Sequence, residues 1–513
     1  MSDSSNDRRW LILSVLCVSV LLVGVDNTIV NVALPTLSAQ LHATNTDLQW
    51  IVDGYSLPFA GLLLMGGGFS DRFGRKRVMQ SALVLFGLFS YAAARSHSIG
   101  ALLGARALMG AAAAFIFPAT LSLLTTTFKD PSERAKAFGV WGATAGVAIA
   151  VGPIVGGELI SHFWYGSIFL VNIPIVVAAF VAGTLIVPES RSPSQRRFDV
   201  PGLSLGTSFV TVLVLAIIQG PEWGWRSAST LSLFAVSAVL AGCFVRYELR
   251  RDGPLLDVRV FSNRAFSAGA GSIATSFFCL FGFIFLVTQY FQLIHGYSAL
   301  AAGVHTLPFA FVTMIVTPLG AVAALRVGAR YVVSAGLLIM GVALFWMNFI
   351  GAHAAYVGPI MGSMVVLAFG FSLISAPSTA AIMGSLRPDQ IGAGAAVNET
   401  TREIGGTMGV AVVGSVFSSL FGPDVRRAFA HLGLSPAQLN LAQSSTEAAK
   451  AVVAHVPSGL ALHQALASGV VNSFIDGFHR GCLVAAFVAV FVGVVVSRFL
   501  PVRAAASEPL VHA

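Results

Sequence analysis

An aspartate inside an apolar run constrains this chain more than any other single feature. Residues Trp10 to Leu34 read WLILSVLCVSVLLVGVDNTIVNVAL, long enough to cross a bilayer, and Asp26 lies within the run. An ionised carboxylate at the centre of a hydrocarbon layer is disfavoured by about 2.5 to 3.5 kcal/mol on insertion scales, so Asp26 has to face protein or water. The pattern recurs at Asp53, Arg106, Glu158, Glu399, Arg402 and Glu403. Together these residues describe membrane helices around a polar, titratable interior.

Composition agrees. The 513 residues are 56% hydrophobic and only 10% charged, against about 25% in a soluble domain, which excludes a soluble core. A net charge of +8 would suit nucleic acid, but the basic residues stand on no soluble module. They cluster at Arg8 and Arg9, Arg72 to Arg77, Lys129 to Lys136, Arg191 to Arg197, Arg246 to Arg264, Arg326 and Arg330, and Arg387. These groups fall on every second connection between apolar spans, the positive-inside bias that places both termini in the cytoplasm. Cys17, Cys243, Cys279 and Cys482 all lie in apolar segments, so no disulfide framework follows. The first apolar run is too long for a signal peptide and no small-residue cleavage site follows it, which makes it a retained helix.

Spans of about 20 apolar residues fall at 10–34, 47–69, 78–95, 99–126, 135–160, 164–187, 200–219, 228–247, 265–291, 300–324, 331–350, 355–382, 393–421 and 478–500. That is an all-α polytopic membrane protein of about fourteen helices. One connection is long, 423–477, with patterns such as VRRAFAHL and EAAKAVVAHV that suggest short amphipathic helices in an external surface flap. A weak repeat relates GGFSDRFGRKR, Gly67 to Arg77, to AVAALRVGAR, Ala321 to Arg330; Leu325 stands where the first copy has Asp71. Two copies imply two six-helix bundles, 1–190 and 263–513, with two inserted helices in 191–262.

GGFSDRFGRK, from Gly67 to Lys76, resembles the loop signature of the major facilitator superfamily. Read physically, Gly67 and Gly74 permit a tight turn, Asp71 can cap or pair at a helix end, and Arg72, Arg75 and Lys76 favour an anionic leaflet. VDNTIVNVALP, from Val25, and RALMGAAAA, from Arg106, are similar to the first- and fourth-helix motifs of the 14-helix drug:proton antiporter branch, although Met109 stands where glutamine is common. GATAGVAIAVGPIVGG resembles the antiporter motif of the fifth helix. Its Gly142, Gly146, Gly152, Gly156 and Gly157 also suit close helix approach, with Pro153 as a bend.

WIVDGYSLPFAG, Trp50 to Gly61, places Asp53 where the subgroup exporting quaternary ammonium compounds carries an acid; a structural hydrogen bond to another helix is the alternative. NETTREIGGTMGVA, Asn398 to Ala411, is similar to the thirteenth-helix signature, and its Glu399 and Glu403, four apart, share a helix face with Arg402 nearby. The resemblance implies a proton-coupled exporter of lipophilic cations or drugs, monomeric, without cofactor or metal, in a bacterial inner membrane. It implies proton coupling through Asp26, Arg106, Glu399 and Glu403, and substrate contact through Asp53, Asp26, Glu399 and Glu403. Export of an endogenous metabolite, lipid or siderophore is the alternative. An ATP-driven pump or membrane enzyme finds no support, since neither GxxxxGK[ST] nor HExxH occurs.

Overall fold

A computed structural model describes residues 2–41, 45–191, 199–251, 257–387, 390–430, 432, 434–443, 445–457 and 461–501. The first bundle comprises α1 (Ser2–Leu41), α2 (Asn45–Phe73), α3 (Arg75–Ala94), α4 (Ile99–Thr127), α5 (Pro131–His162) and a broken helix, α6 (Ser167–Leu170) with α7 (Asn172–Ile186). Two further helices follow, α8 (Val200–Trp223) and α9 (Ala228–Leu249). The second bundle comprises α10 (Arg264–Leu293), α11 (Ala299–His305) broken from α12 (Leu307–Val327), α13 (Ala329–Trp346), α14 (Met361–Gly384), α15 (Ile391–Phe429), the short α16 (Pro436–Ala442) and α17 (Thr446–Ala454), and α18 (Ala461–Phe499).

Several helix starts follow from local chemistry. Side chains of Ser98, Asp130, Asp199, Ser227, Asn263 and Ser298 accept hydrogen bonds from otherwise unsatisfied backbone N–H groups of the first turn. The α11–α12 break precedes Pro308, which lacks the N–H a continuing helix would need.

Thirteen segments among the described residues are long and apolar enough to cross a membrane. The second sequence span is not one of them, because Asp53, Tyr55, Ser56, Pro58 and a run of glycines lower the hydropathy of α2. It nevertheless runs beside α4 from Ile51, whose carbonyl meets Arg106, to Phe69, whose ring packs on Phe115. That is about 27 Å at 1.5 Å per residue, close to the thickness of a hydrocarbon core, and makes α2 the fourteenth spanning helix.

The long connection is shorter than the sequence suggested. Helices α15 and α18 have 39 residues each, about 58 Å, so both continue well beyond a 30 Å hydrocarbon layer. Hydropathy falls where a helix leaves lipid, but the helix need not end there. Even Pro423 sits inside α15, and Val425 to Phe429 form its last turn. The seventh span likewise extends to Trp223.

The two bundles repeat one packing plan. Within the first, α1 packs on α5 and α7, α2 on α4, and α3 on α4 and α7; within the second, α10 packs on α15 and α18, α12 on α14, and α13 on α14 and α18. Gly74 and Gly328, aligned by the weak sequence repeat, precede α3 and α13 with φ of 107° and 108°. That left-handed region is open to glycine at little cost. The bundles meet through α5 on α12 and α2 on α15, again equivalent pairs, while α8 packs on both α2 and α15.

The basic connections gather on one face, called here the basic face. There Arg9 pairs with Glu133 at 2.6 Å and Arg387 lies 4.0 Å from Asp257. The bundles are closed together at this face. A Cβ on Gly67 would stand 2.4 Å from the Gly392 carbonyl and 2.8 Å from the Ala396 methyl. Gly67→Ala therefore has to push α2 off α15, an overpacking that corresponds to roughly tenfold loss of the closed state. Distances between spin labels at the basic ends of the two helices should lengthen; an unchanged distribution would show that the contact does not hold the face shut.

Candidate functional site

Away from the helix ends, buried charge collects in two clusters, one in each bundle. In the first, the Arg106 guanidinium donates through Nη1 to Asp26 Oδ2 at 2.7 Å and through Nε to the Ile51 carbonyl at 3.2 Å. Both side chains are wholly buried. Asn172 Nδ2 donates to the other carboxylate oxygen, Oδ1, at 2.8 Å, and the Arg106 guanidinium lies 4.3 Å from the centre of the Tyr55 ring. A buried charge is tolerable only when its partners approach this closely.

The second cluster lies on α15. Arg402 Nε is 3.6 Å from Glu399 Oε1, which also accepts from Asn398 Nδ2 at 2.8 Å. Arg402 Nη2 donates to Thr379 Oγ1 at 3.2 Å. Its guanidinium faces two rings, Phe277 of α10 at 5.2 Å and Trp141 of α5 at 4.8 Å. Trp141 belongs to the first bundle, so this cation–π contact crosses between the halves.

A ladder of aromatic rings joins the clusters. Tyr55 stacks near Phe59 at 6.0 Å, Phe59 meets Phe117 edge-on at 5.7 Å, and Phe117 meets Trp141 at 6.3 Å. Arg106 covers the ring at one end and Arg402 the ring at the other. The negative faces of such rings attract the guanidinium charges.

Sequence-derived residues separate accordingly. Asp26 and Arg106 come together, as do Glu399 and Arg402. Glu403, one turn further along α15, is half-buried, and its carboxylate enters no ion pair or hydrogen bond among the described residues; it lies within electrostatic reach of Glu399 and Tyr55. Asp53 is half-buried on α2, two residues before Tyr55. Glu158 is exposed, with His162 at 3.3 Å.

The loop residues behave differently from the lipid-facing expectation. Arg75 is 1% exposed and donates to Asp71 Oδ1 at 2.7 Å, while Lys76 Nζ donates to the Thr184 carbonyl at 2.8 Å. Their charge is spent on protein acceptors; Arg72 is exposed. Asp71 Oδ2 accepts from the Gly392 amide at 3.0 Å, in the first turn of α15. Gln390 gives that helix no side-chain cap, whereas the equivalent α5 is capped by its own Asp130. Asp71 thus supplies from the opposite bundle a carboxylate for a positive helix end.

The glycines of α5 act as contact points. A Cβ on Gly152 would stand 1.9 Å from Thr28 Oγ1, one on Gly156 would stand 2.7 Å from Ile29, and ones on Gly146 and Gly157 would stand 2.7 and 3.0 Å from Thr313 and Leu300. Gly142 faces Ser375 and Thr317, and Pro153 meets Gly303. Helix α5 is therefore clasped between α1 of its own bundle and α11–α12 of the other.

Sequence reasoning missed Tyr55, Trp141, Ser90 and Asn172. The signal available was polar or aromatic character within apolar spans, which does not say which way a helix faces.

Paired six-helix bundles closed at one face around buried ion pairs define a polytopic secondary transporter. The chain belongs to the Major Facilitator Superfamily, whose family model matches residues 16–410. It is 36% identical over 454 residues to the multidrug efflux pump LfrA of Mycolicibacterium smegmatis, covering 88% of this chain and 89% of that one. It is 33% identical to the methyl viologen resistance protein SmvA of Salmonella typhimurium, covering 82% and 84%. It is 31% identical to a tetracenomycin C resistance and export protein of Streptomyces glaucescens, covering 94% and 90%. Among solved structures, the fold resembles human MFSD10 with a TM-score of 0.63 at 13% identity, covering 95% of this chain and 99% of that one. It resembles the symporter XylE with a TM-score of 0.62 at 14% identity, covering 97% of each. Membership makes the protein a multi-pass membrane transporter rather than an enzyme.

Proposed function

We propose that the protein exports lipophilic cations and other drugs across a bacterial inner membrane in exchange for protons, as a monomer without cofactor, with its basic face and both termini in the cytoplasm. The observation that carries this reading is the pair of buried carboxylate–arginine clusters at opposite ends of one aromatic ladder. Relatives whose names specify multidrug efflux and methyl viologen resistance support it.

Chemically, a proton arriving from outside neutralises Asp26 and removes the charge that holds Arg106. The guanidinium keeps its partners on α2, the Ile51 carbonyl and the Tyr55 ring, so neutralisation loosens α1 from α2 and α4. A planar cation in the interior competes with the arginines for the ring faces and with protons for the carboxylates. Proton and drug therefore exclude one another.

Asp26→Asn should abolish ethidium efflux driven by an imposed pH gradient in proteoliposomes while leaving folded protein in the membrane. Retained uphill efflux would remove Asp26 from the coupling role.

A dication brings two charges into the interior, and Asp53, half-buried on α2 two residues before Tyr55, adds a second carboxylate near Asp26. Neutralising Asp53 leaves one of a dication's charges unmatched where unmatched charge is expensive. Asp53→Asn should lose resistance to dications such as methyl viologen and keep part of its resistance to monocationic ethidium, at matched expression. Equal loss for both charge classes would make Asp53 a general structural residue.

A further inference from the structure

The second oxygen of Asp26 is held by a side chain to which neither motif nor charge drew attention. Asn172 is the first residue of α7, immediately after the α6–α7 break on the face opposite the basic loops. It is wholly buried, as are Ser90 and Asp26. Its Nδ2 donates one hydrogen to Asp26 Oδ1 at 2.8 Å and the other to Ser90 Oγ at 3.0 Å. Ser90 Oγ in turn donates to the Phe169 carbonyl at 2.9 Å. Asn172 therefore donates in two directions: to the carboxylate on one side, and on the other to Ser90, whose hydroxyl passes the bond on to the α6 carbonyl. Asn172 Oδ1, by contrast, is buried without a partner.

This arrangement suits only one protonation state. Oδ2 faces a guanidinium, so an incoming proton bonds to Oδ1, forming the O–H of a neutral acid from a proton of the external aqueous phase. That O–H is a donor and now meets an N–H donor. A primary amide resolves the conflict by a half-turn about its last side-chain bond, which presents an acceptor in place of a donor. Few side chains can satisfy both a carboxylate and a carboxylic acid from one position.

We propose that Asn172 is a positioning residue for the exchanging carboxylate, its amide donating to ionised Asp26 and turning to accept from protonated Asp26, with Ser90 relaying the change to α3 and α6. The proposal rests on the proton-exchange reading above. Among the described residues, Arg106 on α4 is the charge acting on Asp26 directly. On α2, Tyr55 adjoins it and Asp53 lies two residues away; Glu403 on α15 acts on Tyr55. From α7 Asn172 bonds it directly, Ser90 of α3 and Phe169 of α6 follow in the same chain of hydrogen bonds, and on α5 the Ala148 carbonyl accepts from Thr28, two residues along α1; none of these is titratable.

The test is the pH dependence of ethidium binding to the purified full-length protein between about pH 5 and 9, a window bracketing neutral titration. Wild type should bind more weakly as pH falls, with a midpoint. Asn172→Leu removes one hydrogen bond to the anion and so favours the acid, moving the midpoint up by about one pH unit. Ser90→Ala should move it the same way by less, and carries the test if the leucine variant does not fold. In an Asp26→Asn background, Asn172→Leu should add no further shift. A wild-type midpoint left in place by both Asn172→Leu and Ser90→Ala, or a shift that persists without Asp26, overturns the proposal. Binding by wild type that is independent of pH instead overturns the proton-exchange reading, and the amide's role with it.

Discussion

A carboxylate with no contact to solvent, set in a helix that crosses a membrane, governs how the first bundle is built. Asp26 can stay in the interior only because three helices bring it partners: Arg106 from α4, Asn172 from the start of α7, and Tyr55 of α2 through Arg106. The cost of desolvating the pair is large, and the attraction offsets it only at short distance. The pair therefore fixes the rotation of α1, α2 and α4 about their axes. It also makes their packing sensitive to one proton, since the attraction disappears when Asp26 is neutral.

The same reasoning explains why the bundles, built on one plan, are not symmetric. Both repeats turn on a glycine with positive φ, but only the first carries an aspartate, Asp71, that reaches across to the start of α15. Its counterpart position holds Leu325, and α5 caps itself with Asp130. The closed basic face thus depends on a hydrogen bond supplied by one bundle to the other. Arg402, stacked on Trp141, is a second link between halves, ten residues further along α15 than Gly392. Opening the basic face requires that links of this kind separate.

Features with a large energetic penalty were legible in the sequence. Asp26 and Arg106 stood out because charge in an apolar run demands a partner, and Gly74 and Gly328 because a repeat pairs them. The spans were legible because length and hydropathy are set by the bilayer. Asn172, Ser90 and Trp141 were not, since an amide, a hydroxyl or an indole in a membrane helix violates no rule strongly enough to attract notice. Nor does sequence give the facing of a helix, so the Phe-rich α10 could not be divided into core and contact residues until Phe277 was seen beneath Arg402. Arg75 and Lys76 were read as lipid-facing from their charge, whereas a nearby carboxylate and carbonyl hold them. Helix ends beyond the membrane were misplaced because hydropathy reports lipid contact, not helicity.

The central claim is that proton and drug compete for buried carboxylates, and it can be read without transport. Purified protein in weakly buffered solution near neutral pH, mixed with ethidium in the presence of a pH indicator, reports protons released on binding. By linkage, competition predicts release of up to about one proton per bound cation, rising as pH falls through the site's titration and lost in Asp26→Asn. Stoichiometric ethidium binding with no proton released at any pH would contradict the account.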